Sequence, residues 1–534
     1  MKRPIHSSTV GYQWLVDRYQ LHCLPHDRVS MIAGVNAPRT TPDFQTRTGD
    51  TAVLQTLPRT YARKDRFEDH LELALKHEGL SPGILKALFK EVGPKAMAEY
   101  VRSTPTGRYA RRAWFFYEWL LGQQLDVPDL RMGTAVEVVD SKDYYTARSL
   151  PTARYRVIDN VAGVPGFCPM FRRSGVVDAV MAKELPKKLM ADLSRHSPEA
   201  LKRALNYLYA KESRTSFLIE REVPAADKAA KFIKLLREAG GDAPLTEDAV
   251  INIQAAIIDE KALDYGYGWR PVQGYVGEKK LSRLVVHLAG AKPGDVPALM
   301  QDIFAYTERV HGSEVPAIVQ AAAVAFGFVF IHPLEDGNGR AHRYLIHHVL
   351  ERENYTPKDI IFPLSAAILK DQSSYDACLE TFSKPLMRRI DYTMNDKGKM
   401  SIKTEHTADL YRYFDGTPIA DFLASMVELT AKEEVVQEVA FIEMYDRVKE
   451  DVKAKFSKIS DKTLDLAIKL CHQGCGRISQ RKSDGALAEL SEPEISYIEQ
   501  AYANHVDAAL AAGDTLPPRV LTNAGFLNNS LANG

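Results

Sequence analysis

The sequence predicts a mainly α-helical protein: a helical core with one small β-hairpin, flanked by helical N- and C-terminal regions. Three observations carry this. Apolar residues recur at helical spacing from Asp65 to about Leu121, again after Ser197, and near 295–310 and 315–331. Helix boundaries bracket these stretches, with Ser81-Pro82, Ser197-Pro198-Glu199 and Thr246 as starts and Gly79, Gly93 and Gly240-Gly241 as stops. Strand-like sequence stands out only in YGWRPVQGYVG, at about 267–277.

The elements follow in order. Residues 1 to about 60 are mixed, and Pro38, Thr40, Thr41, Pro42, Thr46 and Thr48 mark a polar extended arm. RRAWFFYEWLLG closes the first helical block, with Arg108, Arg111 and Arg112 read as the solvated face of a packed helix rather than phosphate contacts. Residues 125–185, rich in Pro, Gly and Asp, read as an irregular linker. Val315 to Leu334 carries no formal charge and has bilayer length. Pro316, Gln320 and a run of alanines make it a buried core helix instead. Beyond about 400, helices alternate with charged turns, and SEPE at 491–494 is a capping box. GRISQRKSDG lies between two of these helices. It leaves open a small winged-helix-like module in which Arg477, Arg481 and Lys482 touch nucleic acid, against the favoured reading as a solvated turn. The domains expected are 1–185, 186–395 and 396–534.

Composition excludes several classes. Of 534 residues, 45% are hydrophobic and 26% charged, which rules out collagen-like and wholly disordered chains. Sixty-nine basic residues balance sixty-nine acidic ones, so the chain is not a wholesale basic nucleic-acid binder. Five scattered cysteines form no disulfide framework and point to a reducing, cytoplasmic setting. Cys471, His472 and Cys475 lack a second Cys/His pair and read as structural rather than metal-binding. The N-terminal basic residues precede no apolar segment, so no secretory signal is expected.

The chemistry concentrates in IHPLEDGNGRAHR, residues 331–343. His332 follows an apolar helix and precedes a proline, which disfavours further helix, so its imidazole is expected in a loop at a helix end. Gly337, Asn338 and Gly339 allow successive N–H groups to converge into an anion nest, and the next helix begins there. Arg340 and Arg343, three apart, share a face beside the nest and suit phosphate oxygens. Asp336 supplies a hard oxygen ligand for Mg²⁺ bridging phosphates. Together these read as a polyphosphate site with an adjacent base, fit for attack on a nucleoside triphosphate.

The loop resembles that of the Fic family, H-P-F-x-[D/E]-G-N-G-R-x-x-R, at His332, Pro333, Asp336, Gly337, Asn338, Gly339, Arg340 and Arg343, with Leu334 in place of Phe. The resemblance implies a helical Fic core and transfer of AMP from ATP to a Ser, Thr or Tyr hydroxyl of a protein. It implies His332 as base, Asp336 on Mg²⁺, and Gly337, Asn338, Gly339, Arg340 and Arg343 on the phosphates. Glu335 and His342 fall at variable positions and read as solvated or packing residues, as do His347 and His348. The family's target-docking flap would correspond to the hairpin near 267–277, lined by Trp269, Arg270, Gln273 and Tyr275. Its inhibitory helix, [S/T]-x-x-x-E-[G/N], is similar to 213–222, where Ser216 and Glu220 match and Arg221 departs. A carboxylate there would hold Arg343 away from the γ-phosphate. The partner implied is a protein substrate, with this chain itself a candidate target; no membrane partner is expected, and a homo-oligomer is compatible with the sequence. Two alternatives stay open: an enzyme of the same fold that removes AMP or moves another phosphate-containing group, and a regulatory binding protein with a vestigial site.

Overall fold

Helices account for most of the described chain, and they begin where their caps are. Ser197 Oγ accepts from Ala200 N–H and Thr246 Oγ1 from Ala249 N–H, opening helices Pro198–Ile219 and Glu247–Ile257. Ser491 N–H donates to Glu494 at 2.7 Å, as the capping box requires. At Gly93 the backbone turns to φ +74°, and Pro94 restarts the helix that runs to Ser103. The computed structural model describes residues 9–33, 43–46, 53–241, 243–280, 283–474 and 476–511. Most of the polar arm around Pro38–Pro42 and Thr48, with Cys475 and the tail after Gly513, lies outside them.

The chain divides into two units, each built from separated stretches. The first comprises 1–178, 240–353 and 372–423. Its centre is the uncharged stretch, which forms Ala317–Ala321, one wider π-helical turn at Ala322–Phe326, and Gly327–Ile331, nearly all fully buried. Helices Val296–Val310 and Asn338–Arg352 pack on it. Among the described residues no helix is long and apolar enough to cross a membrane.

Four small sheets decorate this unit. The N-terminal one has the order Thr9–Val10, Arg28–Ile32, Val53–Leu57, Asp43–Thr46, with a parallel central pair. The expected linker at 125–185 instead contains Val136–Glu137, Leu150–Thr152 and Val157–Asp159 as a three-stranded sheet. Strands of two or three residues are too short for alternation to be read. Arg111 and Arg112 are buried and donate to the carbonyls of Thr134, Arg156 and Glu137, so they are structural rather than solvated. The main hairpin pairs Tyr275–Lys280 with Arg283–Ala289, further along the chain than expected. Tyr392–Met394 and Met400–Ile402 make a second, unanticipated hairpin.

The second unit comprises 179–239, 354–371 and 424–534. Helix Pro198–Ile219 packs on Leu364–Lys370 and Val435–Lys455. Glu212 is fully buried and accepts from both N–H and Oγ of Ser365, while Lys211 pairs with buried Glu434 at 2.6 Å. A winged helix needs a strand hairpin, and among the described residues no strand follows Ile402. Arg477 is instead paired with Glu499 at 3.0 Å. His472 bonds Tyr502 Oη at 2.6 Å, and no group of His, Cys, Asp and Glu among the described residues is arranged to hold a metal ion.

Gly327 permits the close packing that ends the central helix. A Cβ there would stand 2.6 Å from Phe167 Cζ. That ring is fully buried and wedged edge-on against Tyr306 and Phe414, so it cannot withdraw. Alanine gains about 1 kcal/mol of helix propensity, but overpacking costs about 1–3 kcal/mol. Gly327→Ala is therefore expected to lower the thermal unfolding midpoint; an unchanged or higher midpoint would show that the ring can move.

Candidate active site

The central helix ends at His332, whose backbone is left-handed at φ +56°, ψ +58°. The position expected from the proline is correct, a helix end. His332 N–H still closes the last turn onto Phe328 C=O at 2.9 Å. The ring turns back over that turn, and Nδ1 meets Val329 C=O at 3.2 Å. A carbonyl only accepts, so Nδ1 is the protonated nitrogen in this contact.

The loop after His332 is closed by Asn338. Its Oδ1 accepts from Leu334 N–H and its Nδ2 donates to Leu334 C=O, both at 2.9 Å, with the residue only 3% exposed. The side chain is thus committed to the loop, and the Asn338 backbone N–H, the group expected in the nest, is what remains to face an anion. Gly337, at φ +89°, is the N-cap of Asn338–Arg352. A Cβ on it would press within 3.2 Å of Ile258. Its N–H donates to Asp336 Oδ1 at 2.6 Å, which removes it from the expected nest. The helical ladder begins with Ala341 N–H on Gly337 C=O, so the first turn's N–H groups at 338–340 precede it.

Arg340 and Arg343 are buried, at 3% and 1% exposure, within the first two turns of this helix. The first turn holds no acidic residue. Positive side chains at the positive end of a helix oppose the macrodipole, and the combination favours an incoming anion. Asp336 is the exposed exception, its side chain 59% accessible and its Oδ1 3.5 Å from Arg340 Nη2. One exposed carboxylate beside a phosphate-type helix end fits Mg²⁺, which takes most of its other ligands from water and phosphate.

Several residues build the wall around this loop. Glu335 accepts from the N–H groups of Asp264 and Tyr265 at 3.0 and 3.1 Å, so it anchors a neighbouring loop rather than facing solvent. Gln254 is fully buried, accepts from Gly268 N–H at 2.9 Å and donates to Asp336 C=O at 3.3 Å. Neither role was expected, although a glutamine within the apolar run AVINIQAAII was a visible signal. His342 bonds Ala325 C=O at 2.9 Å from a fully buried position, and burial pushes it down to about 3. His348 accepts from Gly240 N–H at 3.2 Å and is pushed down to about 4 by burial. Both are packing residues, as expected, and His347 is buried as well.

The residues assigned to the flap divide. Tyr275 opens the hairpin and donates to Gly398 C=O at 3.2 Å. Trp269, Arg270 and Gln273 lie before it. Trp269 pairs with Leu334 in an isolated antiparallel bridge, Gln273 donates to the carbonyls of Gly274 and Gly290, and Arg270 is 3% exposed. Segment 269–274 is therefore tied to the His332 loop, and the hairpin strand starts at Tyr275. In the second unit, fully buried Ser216 lies in helix Pro198–Ile219 and exposed Glu220 caps its C-terminus. Arg221 adopts φ +60°, the conformation that Gly or Asn usually serves after a helix.

Residues 244–350 match the Fic/DOC family, and the His332 loop lies inside that match. The chain is 35% identical over 95 residues to the protein adenylyltransferase Fic of Drosophila melanogaster, covering 17% of this chain and 18% of that protein. It is 38% identical over 71 residues to the protein of the same name from Drosophila virilis, covering 13% and 14%. The chain thus spans less than a fifth of the length of these relatives. Among solved structures, a Fic family protein from Desulfovibrio desulfuricans G20 aligns with 65% of this chain and 92% of its own, at TM-score 0.37 and 15% identity. A Fic domain containing signaling protein from Bacteroides thetaiotaomicron VPI-5482 aligns with 48% and 97%, at TM-score 0.32 and 18% identity. Residues 244–350 are a Fic/DOC family domain.

Proposed function

We propose that this domain transfers AMP from ATP to a Ser, Thr or Tyr hydroxyl of a protein. The observation that carries the reading is the contact of His332 Nδ1 with Val329 C=O, which turns the ring so that Nε2 is the nitrogen suited to take a proton. The base stands at the head of a loop whose other end is a helix N-terminus with two buried arginines. In the reaction, the hydroxyl oxygen attacks the α-phosphorus of ATP, Nε2 takes the hydroxyl proton, and pyrophosphate leaves. Arg340, Arg343 and the first-turn N–H groups hold the phosphate oxygens and balance the charge that shifts to the leaving group. Asp336 would hold Mg²⁺, which neutralises phosphate charge when bound.

The curated relatives carry the name protein adenylyltransferase, which supports AMP as the group moved. The loop itself contacts phosphates rather than the base. Incubating the full chain with each of the four α-labelled nucleoside triphosphates, and with an AMP-modified protein, distinguishes AMP transfer from transfer of another nucleotide or AMP removal. The protein itself is one target to search for labelled peptides, since an intramolecular hydroxyl has a high effective concentration. A reducing, cytoplasmic setting is part of the proposal, supported by the buried free thiols of Cys23, Cys168, Cys378 and Cys471.

Three outcomes test this reading. His332→Ala should lose label transfer by about 10²- to 10⁴-fold while keeping the wild-type melting profile; a folded variant that still labels its target excludes His332 as base. Asp336→Ala should raise the Mg²⁺ concentration needed for half-maximal rate, whereas Glu335→Ala, which loosens the 264–265 loop, should lower the rate at every Mg²⁺ concentration. Identical Mg²⁺ titrations for the two would remove Asp336 from the metal site. Ser216 and Glu220 are proposed as the inhibitory pair, so Glu220→Gly should label faster than wild type at fixed Mg·ATP. An equal or slower rate would leave helix Pro198–Ile219 with a packing role alone.

A further inference from the structure

Arg270 is a buried cation whose bonds all end on backbone. Nε donates to His332 C=O at 2.7 Å, Nη1 to Val272 C=O at 2.7 Å, and Nη2 to the carbonyls of Ala291 and Ile331. Its own N–H donates to Pro333 C=O at 2.9 Å. No carboxylate is among these acceptors. Burial pushes the guanidinium down to about 10, which still leaves it charged at neutral pH. Its neighbours make room for it: a Cβ on Gly274 would stand 2.8 Å from Nε, and one on Gly290 2.7 Å from Nη2 and 3.1 Å from His332 Cβ. The cation therefore sits at the C-terminal end of the central helix, where the last carbonyls lack intrahelical donors and carry partial negative charge.

A left-handed backbone at a residue with a side chain needs support from its surroundings. At His332 Arg270 bonds the His332 carbonyl at 2.7 Å, shares the Ile331 carbonyl at 3.4 Å with Ala291 N–H at 3.0 Å, and sends its own N–H to Pro333 C=O. We infer that Arg270 is the positioning residue of the catalytic base: its buried guanidinium clamps the carbonyls on both sides of the turn at His332 and so aims the imidazole, without touching substrate. This inference rests on the proposed role of His332. It also separates Arg270 from the target-docking edge, because a fully engaged side chain offers a docking segment nothing.

The test compares wild type with Arg270→Lys, Arg270→Gln and Gly290→Ala in the full chain. Gly290→Ala keeps the cation but pushes a methyl against both Nη2 and His332 Cβ. Misplacement of a reacting group by about 1 Å costs about 100-fold in rate. Arg270→Gln and Gly290→Ala should each lose kcat on that scale, with the KM for ATP nearly unchanged; both should also melt below wild type, so rates are compared well under the lower midpoint. Arg270→Lys, which keeps the charge and some of the bonds, should recover part of the loss. A second readout needs no activity: the imidazole ¹⁵N–¹H correlation of His332, assigned by its absence in His332→Ala, should report the Nδ1–H form in wild type and lose it in Arg270→Gln. If wild type transfers no nucleotide at all, the functional proposal fails and this correlation alone decides the clamp. Wild-type kcat in Arg270→Gln, a rise in KM with kcat unchanged, or an unaltered His332 correlation would each overturn the inference. Should Arg270→Gln fail to fold, Gly290→Ala with wild-type kcat overturns it equally.

Discussion

A residue with a side chain in the left-handed region costs about 1–2 kcal/mol relative to ordinary helix. His332 occupies that region at the end of the most deeply buried helix of its unit. Much of what surrounds it can be understood as the set of bonds that make this turn tolerable. The chain must leave the helix abruptly, pass a proline, and re-enter a helix within six residues, with the N–H groups at 338–340 ahead of its first ladder bond. Glycine would ease the turn but would carry no imidazole. The proposed chemistry needs a side chain where the backbone favours none, so the support must come from elsewhere in the fold.

That support is almost entirely polar and almost entirely directed at main-chain groups. Asn338 mimics a peptide and closes the loop on Leu334. Glu335 and Gln254 fasten the loop to segment 264–268. Each lost bond of this kind in a buried place would leave a carbonyl or N–H unsatisfied, at about 1–3 kcal/mol. Apolar packing could not substitute, because it has no directional preference, whereas these bonds specify one loop path.

The placement of the loop was legible because it is contiguous: His332, Gly337, Asn338, Gly339 and both arginines fall within twelve residues, and local rules place them at a helix end and a helix start. Helix boundaries were legible for the same reason, since Ser197, Thr246 and the 491–494 box act over three residues. What was missed depends on partners far away in sequence. Arg270 looked like a flap residue because its acceptors lie 21 and 61–62 residues away. The strands at 136–137, 150–152 and 157–159 are too short to leave a period. The motif suggests a backbone role for Asn338, and only the folded geometry shows that its side-chain amide also closes the loop on Leu334.

The unit that holds the His332 loop is made of three separate stretches, and the last of them reaches residue 423. Tyr411, in that stretch, donates to Ala289 C=O at 2.8 Å from a fully buried position. During synthesis the His332 loop therefore leaves the ribosome long before its unit can close. Until about residue 423 has emerged, the apolar central helix is exposed to solvent or to whatever shields nascent chains. The distant pairings also raise the entropy lost before any stabilising contact forms, so this unit should acquire its structure late and as a whole. A fragment limited to residues 244–350 would keep the His332 loop with its Gln254 and Glu335 bonds but lose Phe167, Tyr411 and Phe414, which pack on the helices behind it.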